Sequence, residues 1–195
     1  MIYRFYYILH ILNLESILKF GIYSHNRIKN SQLNYTRIFD NYIIKRRELI
    51  KTPANKNLLD YVNLYFQPRN PMLYRVIKEF GENNIVVLGI DGNVIYKDGV
   101  FITDGNAASA YSNFYSISDI DYYTLNKIKL NTKAKIWYNN WRVKIELMAE
   151  CLVPDIVEIS YIKEIYVSNF STKNNLNYLN CNLPIIISSY FFFKD

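Results

Sequence analysis

The sequence predicts an α+β domain in which many short strands and a few short helices share one core. Apolar, β-branched segments of strand length alternate with turn residues along the chain. Half of the 195 residues are hydrophobic, which favours a packed globule over a disordered chain. The length fits one domain, and neither an internal repeat nor a linker interrupts it. We therefore expect a single domain over residues 1–195.

Capping residues divide the N-terminal part of the chain into elements. The segment Ile2–Ile8 is aromatic and β-branched, as is typical of a strand. Asn13 is a candidate N-cap for a helix that Gly21 ends. The polar residues 22–37 predict a long loop. Asp40 is a candidate N-cap for a second helix, which carries two adjacent arginines.

Proline and glycine mark the element boundaries in the middle of the chain. Residues 59–66 predict a strand. Pro71 stands where a first helical residue favours proline, and Gly81 follows the expected end of that helix. The pair Asp91-Gly92 lies between two apolar runs, which predicts a β-hairpin. A short strand is expected at 100–103.

The C-terminal part of the chain predicts mostly strands. Residues 116–140 are aromatic without a regular period, and we expect them to be irregular. From Trp141 to Val153 apolar and polar residues alternate, and a period of two predicts a strand. Glu146 and Glu150 would share its polar face, about 13 Å apart, which is too far for both carboxylates to act on one atom. Further strands are expected at 164–168 and 183–193.

Composition narrows the function classes. The formal net charge of +6 favours a polyanionic partner, although AT-rich coding sequence would also produce a chain rich in lysine and asparagine. Two cysteines and two histidines lack metal-ligand spacing, so we expect no metal. No apolar run reaches the roughly 18–20 residues of a membrane helix, and the first residues lack a signal-peptide pattern. We expect a cytoplasmic monomer without a membrane partner.

Five sequence blocks are informative when they are taken together: Tyr7–Ile22, Ile44–Arg47, Asp60–Tyr74, Thr103–Ser109 and Leu147–Asp155. They resemble the DarT family of DNA ADP-ribosyltransferase toxins, and they occur in the family's order over about residues 2–168. Neither these blocks nor the rest of the chain contain a Gly-x-Gly-x-x-Gly loop, so a Rossmann dinucleotide site is not supported.

The resemblance implies an ADP-ribosyltransferase fold of the kind seen in poly(ADP-ribose) polymerases, with central split β-sheets and short flanking helices. It implies a transferase, of the glycosyltransferase or nucleotidyltransferase type, that uses NAD⁺ as co-substrate and modifies a base in single-stranded DNA. It also implies the toxin of a toxin–antitoxin or anti-phage system, with a DarG-like macrodomain antitoxin as partner.

Two residues resemble the catalytic positions of the family, namely Glu150 and Arg47. Breaking the nicotinamide–ribose bond builds positive charge on the ribose, which a carboxylate stabilises. The same carboxylate can take a proton from the attacking base. From the residues alone, Glu150 could equally be a solvated strand glutamate, and Arg47 could belong to an ordinary charged helix face.

The resemblance also implies the NAD⁺ contacts. A guanidinium fork suits a diphosphate, and because helical neighbours point about 100° apart, we expect Arg47 rather than Arg46 to reach it. His10 and Asn13 resemble positions that hold the nicotinamide end, with a core histidine and a helix cap as the alternatives. The other expected contacts lie at a strand-to-helix junction suited to an anion: Tyr65, Arg69 and Met72.

The acceptor is expected to contact residues before the catalytic strand. Residues 109–141 interleave aromatic side chains, which stack on single-stranded bases, with lysines, which follow phosphates; core packing is the alternative. A duplex base would have to be flipped out. The expected DNA contacts are Asn106, Lys133, Lys135 and Trp137. An RNA or protein acceptor stays open, as does a non-catalytic nucleic-acid-binding domain of the same fold.

Overall fold

The computed structural model describes residues 2–133, 136–179 and 181–194, and its elements are mixed helix and strand as expected. The strands are β1 (Arg4–His10), β2 (Ile22–Tyr23), β3 (Tyr61–Tyr65), β4 (Ile85–Asp91), β5 (Phe101–Thr103), β6 (Phe114–Ser116), β7 (Glu150–Pro154), β8 (Ile156–Val157), β9 (Ile162–Val167) and β10 (Ile185–Ile187). The α-helices are α1 (Leu14–Phe20), α2 (His25–Asn30), α3 (Asn41–Glu48), α4 (Pro71–Phe80), α5 (Tyr122–Asn131), α6 (Trp141–Glu146) and α7 (Phe170–Asn175).

The main sheet is split between β1 and β3. Within the described residues its strand order is β10-β9-β4-β1-β3-β7-β5-β6, and β2 pairs with β8 in a small second sheet. β1 pairs with β4 along its whole length, from Arg4 to His10. Its described pairing with β3 is the bridge between Tyr6 and Tyr65. Beyond this bridge the two strands diverge, which opens a cleft in the middle of the sheet.

The two strands that flank β1 and β3, namely β4 and β7, are buried on both faces. Residues 85–90 of β4 are all buried, and so are Glu150 to Val153 of β7. Such double burial favours continuous apolar sequence, which both strands have. The exception is Glu150, a carboxylate whose residue is 0 % exposed. The fold therefore places a carboxylate among the buried strands of the sheet.

Local capping explains the helices that were predicted correctly. The Asp40 carboxylate accepts a hydrogen bond from the Tyr42 backbone N–H at 2.7 Å and starts α3. Asn70 accepts from the Leu73 N–H at 3.0 Å and starts α4, whose first residue is Pro71. Gly21 ends α1 with a positive φ, as expected.

Two expectations for the first half of the chain are wrong. Residues 22–37 are not one loop, because β2 pairs with β8 and Ser24 caps α2 by accepting from the Arg27 N–H at 3.3 Å. The hairpin at Asp91-Gly92 does not form. The Asp91 carboxylate accepts from the Asn93 N–H and starts a 3-10 helix, while β4 pairs with β1 and β9 instead.

The expected strand over 141–153 is wrong in its first half. Asn140 accepts from the N–H groups of Arg142 and Val143, both at 3.1 Å, and so starts α6. Glu146 therefore lies on a helix, 3.6 Å from Arg142 in an i,i+4 ion pair, and not on a strand face beside Glu150. α6 has only six residues, and over so short a segment an alternating pattern does not exclude a helix.

Two other C-terminal expectations also need correction. Residues 116–140 contain α5, whose N-cap Asp121 accepts from the Thr124 N–H at 2.7 Å. The strand expected over 183–193 is reduced to β10, and turns follow it. In the described ranges no helix has the length and apolar character needed to cross a membrane.

We predict different costs for alanine at two helix-ending glycines. Gly21 and Gly81 have φ values of +86° and +80°. A Cβ at Gly21 would lie 2.6 Å from the Val157 carbonyl oxygen, whereas a Cβ at Gly81 meets no atom within 4 Å. Gly81→Ala should cost about 1–3 kcal/mol in backbone strain, and Gly21→Ala should cost more because it also separates β2 from β8. Equal losses in urea unfolding would contradict the steric argument.

Candidate active site

A cavity of about 1050 Å³ occupies the cleft where β1 and β3 diverge. This volume is at the upper end of the roughly 300–1,000 Å³ of small-molecule sites, and it suits an extended ligand. β1, β3, α1, α3 and α4 supply half of its lining residues, and the segment between α2 and α3 supplies a further part. The residues expected from the sequence that line it are Asn13, Arg46, Arg47, Tyr65, Met72, Asn106 and Trp137.

A buried ion pair lies at the wall of this cavity. Arg47 of α3 donates from Nη1 to Glu150 Oε1 at 3.1 Å and from Nη2 to Oε2 at 2.9 Å. Arg47 is 7 % exposed and lines the cavity, while Glu150 is fully buried behind it. The arrangement is a bidentate fork, the strongest geometry for an arginine and a carboxylate. It joins residues 103 positions apart in the sequence.

Backbone groups hold the glutamate from the other side. The Ala107 N–H donates to Glu150 Oε1 at 3.2 Å. The Glu150 N–H donates to Thr103 Oγ1 at 3.0 Å, and this hydroxyl donates in turn to the Gly105 carbonyl at 2.6 Å. The turn after β5 is therefore fixed to the carboxylate that it covers.

Electrostatics in this region favour the charged pair. Burial alone would lower the pKa of Arg47, but the adjacent Glu150 carboxylate raises that pKa above its ordinary value. Burial, and then the negative charge of Glu150, raise the pKa of Tyr65, which faces Glu150 across the β3–β7 pair. Tyr65 thus stays a neutral phenol beside Arg47 and Glu150.

Both arginines of α3 border the cavity, although they point in different directions. Arg47 is buried, whereas Arg46 is exposed at the rim, where Nη2 donates to the Ala108 carbonyl oxygen at 2.8 Å. The roughly 100° between helical neighbours explains the difference in burial. Because the cavity is wide, this angle does not keep Arg46 from lining it.

His10 and Asn13 hold the chain beside the cavity. Nδ1 of His10 accepts from the Leu12 N–H at 3.3 Å, and its ring packs edge-on against Phe80. Burial lowers the pKa of His10, which favours the neutral ring. Asn13 occupies the N-cap position of α1, but its side chain does not cap the helix. It instead exchanges two 2.8 Å hydrogen bonds with the backbone of Thr36, which lines the cavity.

The structure places the other expected contacts differently. Arg69 lies over the rings of Tyr190 and Phe193, at 4.7 and 4.8 Å, and donates to the Tyr190 carbonyl oxygen at 2.5 Å. This ties Arg69 to C-terminal residues, and it is not among the cavity-lining side chains. Lys133 lies in an exposed turn after α5. Lys135 lies outside the described residues.

Sequence reasoning missed several cations of the cavity wall. Arg75 and Lys78 of α4 and Lys144 of α6 all line it. Arg75 donates to the Ile38 carbonyl oxygen at 2.5 Å and pairs with Glu79. The three-residue spacing of Arg75 and Lys78 on a correctly predicted helix was the available signal. In the part of the chain that the structure describes, no group of three or more His, Cys, Asp or Glu residues is arranged to hold a metal ion.

Comparisons with known proteins show which proteins this chain is similar to. A family model described as "DarT: ssDNA thymidine ADP-ribosyltransferase, DarT" matches residues 6–193. A DNA ADP-ribosyl transferase-DNA ADP-ribosyl glycohydrolase fusion protein of Thermosipho africanus is 38 % identical over 191 residues, which are 96 % of this chain and 49 % of that protein. The chain thus spans about half the length of this curated relative.

Solved structures share the fold. Thermosipho africanus DarTG in complex with ADP-ribose matches with a TM-score of 0.89 and 36 % identity, over 98 % of this chain and 51 % of that chain. Thermus sp. 2.9 DarT in complex with ADP-ribosylated ssDNA matches with a TM-score of 0.83 and 23 % identity, over 98 % and 96 %. The same DarT in complex with NAD⁺ matches with a TM-score of 0.78 and 22 % identity, over 98 % of each chain. The expected ADP-ribosyltransferase fold is confirmed.

We predict that removing one partner of the buried ion pair destabilises the protein. Glu150→Ala leaves the Arg47 guanidinium buried without its carboxylate, which should lower the free energy of unfolding by about 3–5 kcal/mol. Glu150→Gln keeps an acceptor oxygen and should lose less. The double variant Arg47→Met/Glu150→Met removes both charges and should recover most of the loss. A loss under about 1 kcal/mol for Glu150→Ala in urea unfolding would contradict this.

We also predict that stability falls as the pH is lowered. The pKa of His10 is lower in the folded than in the unfolded chain because the ring is buried. This contribution is therefore present above the unfolded pKa of about 6.5 and is lost as pH falls through the lower folded pKa. His10→Asn keeps an N-cap acceptor and should reduce the slope of unfolding free energy between about pH 7.5 and about pH 5.5.

His25 should supply the remaining slope in this range, because burial and then the charges of Lys29 and Arg37 lower its pKa as well. Thermal or urea unfolding at several pH values measures the effect. An identical slope in the wild type and in His10→Asn would show that His10 does not contribute.

Proposed function

This chain belongs to the DarT family, and we propose that it transfers ADP-ribose from NAD⁺ to a thymidine base in single-stranded DNA. One observation carries the proposal: a glutamate and an arginine form a buried bidentate pair at the wall of a cavity, at the split of the sheet. Both residues fall in blocks that resemble the family. The family model that matches the chain is described by the same acceptor and reaction.

The cavity supplies a cationic wall for the diphosphate of NAD⁺. Its lining cations among the described residues are Arg46, Arg47, Arg75, Lys78 and Lys144. Its lining carboxylates are Asp40, which caps α3, and Glu79, which pairs with Arg75. Arginine binds a phosphate group bidentately, so Arg46 and Arg47 on one helix are the diphosphate contacts that we propose.

The remaining sequence-derived contacts fall into two groups. Tyr65 and Met72 line the cavity and offer an aromatic and an apolar surface to the nicotinamide or adenine ring. Asn13 and His10 act by shaping the cavity wall, through Thr36 and through the chain that enters α1. The position of Arg69 against Tyr190 argues that it supports the C-terminal residues rather than NAD⁺.

Glu150 is the proposed catalytic carboxylate. The bond between the ribose C1″ and nicotinamide breaks, nicotinamide leaves as a neutral molecule, and a thymine nitrogen forms the new bond to C1″. The proton of that nitrogen passes to Glu150, which also stabilises the positive charge on the ribose. Because a pentosyl group moves, the chemistry is glycosyl transfer, and nothing in the comparisons supports nucleotidyl transfer.

Arg47 controls access to this carboxylate. In the structure it lies between Glu150 and the cavity, and two of its N–H groups bind the glutamate oxygens. The diphosphate of NAD⁺ competes with Glu150 for the same guanidinium. We propose that binding of NAD⁺ draws Arg47 towards the diphosphate and exposes the carboxylate to the ribose.

The acceptor strand is proposed to enter from the side of α6. Asn106, Trp137 and Lys144 line the cavity there. The ring of Trp137 is buried and stacks on Tyr138, with centroids 5.1 Å apart, and the exposed Tyr138 lines the cavity as well. Aromatic rings bind unpaired bases, whereas a base in a duplex would first have to leave its stack. This favours a single strand over a duplex.

The biological role proposed is that of a toxin held in check by an enzyme that removes the modification. The support is the Thermosipho relative, whose name joins a DNA ADP-ribosyl transferase to a DNA ADP-ribosyl glycohydrolase. A macrodomain antitoxin with glycohydrolase activity is the partner that we propose for this chain. The residues 1–195 are proposed to form one transferase domain that acts as a monomer.

We predict that Glu150→Gln abolishes transfer. With NAD⁺ and a thymidine-containing single-stranded oligonucleotide, the wild type should add one ADP-ribose mass, and the variant rate should be about 10²–10⁴-fold lower because the proton acceptor is lost. Glu158→Gln is the matched control, because Glu158 is an exposed glutamate paired with Lys97 outside the cavity. Its rate should equal that of the wild type.

The choice of acceptor in this assay distinguishes DNA from RNA and protein as the substrate. Modified RNA with untouched DNA would move the acceptor to RNA, and modified protein alone would move it to a polypeptide. If Glu150→Gln and the wild type modify DNA equally, Glu150 does not have the role proposed. If the wild type binds the strand and modifies none of these acceptors, the chain is a binding domain of the same fold.

A further inference from the structure

A second, smaller pocket lies on another side of α6. Its volume is about 430 Å³, and α5, α6 and the segment between β5 and β6 surround it. The rings of Tyr111, Tyr115, Tyr123 and Trp141 line it, together with the polar side chains of Thr124 and Asn131. The described lining therefore combines aromatic rings with hydrogen-bonding side chains.

The small pocket and the large cavity share two walls. On α6, Trp141 and Ile145 line the small pocket, whereas Lys144 lines the large cavity. In the segment after β5, Asp104 lines the small pocket, whereas Asn106 lines the large cavity. The Asn106 N–H donates to the Ile145 carbonyl oxygen at 3.0 Å, which joins the two walls. A flexible chain that passes over these shared walls can place one of its groups in the small pocket and another in the large cavity.

Two aromatic rings at the pocket are largely exposed to solvent. Tyr111 is 74 % exposed and Trp141 is 60 % exposed, and their ring centroids are 5.0 Å apart. Large exposed aromatic groups that cluster around a concave surface mark binding sites more often than isolated ones do. Tyr123, on the facing helix α5, is 78 % exposed.

The charges of the pocket suit a neutral ring better than a free anion. Lys127 and Arg142 are balanced by Asp104 and Glu146. Glu146 pairs with Arg142, and the Asp104 carboxylate accepts from the side chains of Asn113 and Tyr115. The balanced lining does not attract a phosphate on its own, while aromatic sides and amide and hydroxyl groups match the face and the edge of a nucleobase.

From these observations we propose that the small pocket binds a second nucleobase of the acceptor strand, away from the base that is modified. The inference rests on the function proposed above and adds to it a determinant of sequence context. Tyr111 and Trp141 stack on this base, and Asn131 and Thr124 read its edge. Lys127 lies at the side of the strand and contacts its backbone.

The test combines an abasic scan with variants of the pocket. Oligonucleotides carry one modifiable thymidine and an abasic nucleotide at each neighbouring position in turn. Their affinity is measured by fluorescence anisotropy and their modification by mass spectrometry. The variants are Tyr111→Ala and Trp141→Ala, and Tyr96→Ala is the matched control, because Tyr96 is a 67 % exposed tyrosine outside both pockets.

Loss of one stacking ring should weaken strand affinity by roughly 5- to 100-fold. An abasic nucleotide at one particular position should weaken the wild type by a similar factor. In the double variant Tyr111→Ala/Trp141→Ala that same abasic position should have no further effect, because the ring that would bind the base is gone. NAD⁺ affinity should be unchanged in every variant.

Two results would overturn the proposal: unchanged strand affinity and KM in both variants, or an abasic profile that the double variant leaves as in the wild type. Failure of the proposed function is distinguishable from these, because binding is measured separately from modification. If the wild type modifies no DNA and Tyr111→Ala still weakens strand binding at one abasic-sensitive position, the pocket binds a base and the transferase assignment is wrong.

Discussion

The burial of one carboxylate at the centre of the sheet is the constraint on which the site depends. Glu150 begins a strand that is buried on both faces, and a lone ionised group there would cost many kcal/mol. Its charge is matched by the two-pronged bond to Arg47 and by the Ala107 N–H. The position of α3 and the conformation of the turn after β5 therefore follow from the need to neutralise and to bond this carboxylate.

The split in the sheet lies beside the Glu150 carboxylate. If β1 and β3 paired along their full lengths, the cleft beside Arg47 would be closed by backbone hydrogen bonds. Their contact is reduced to the bridge between Tyr6 and Tyr65, and Tyr65 is also the residue that faces Glu150 on the next strand. The point where the sheet opens and the point where the carboxylate sits are thus fixed by one tyrosine. This geometric coupling explains why the cavity of about 1050 Å³ and the ion pair coincide.

Prediction from the sequence succeeded where local hydrogen bonds decide the structure. Asp40 and Pro71 predict helix starts because the contacts that decide them lie within a few residues, and both helices begin as expected. It failed where partners are distant, as for β2 with β8, or where two local patterns compete, as when Asn140 caps a helix inside an alternating run. The site followed the same rule. Glu150 and Arg47 were proposed as catalytic residues from the sequence, but the enclosure of Glu150 depends on contacts that no local pattern encodes.

The enclosure itself has a chemical consequence. Separating a buried bidentate pair costs about 3–5 kcal/mol, so an empty site keeps its carboxylate covered. Only a ligand that offers Arg47 equally strong charge-assisted hydrogen bonds can offset that cost, and a diphosphate does so. Water and a single-stranded base do not, because they bring no anion into the cavity at the position of Arg47. The ion pair would therefore impose an order on the reaction, in which the diphosphate-bearing substrate must be in place before the carboxylate becomes available to an acceptor.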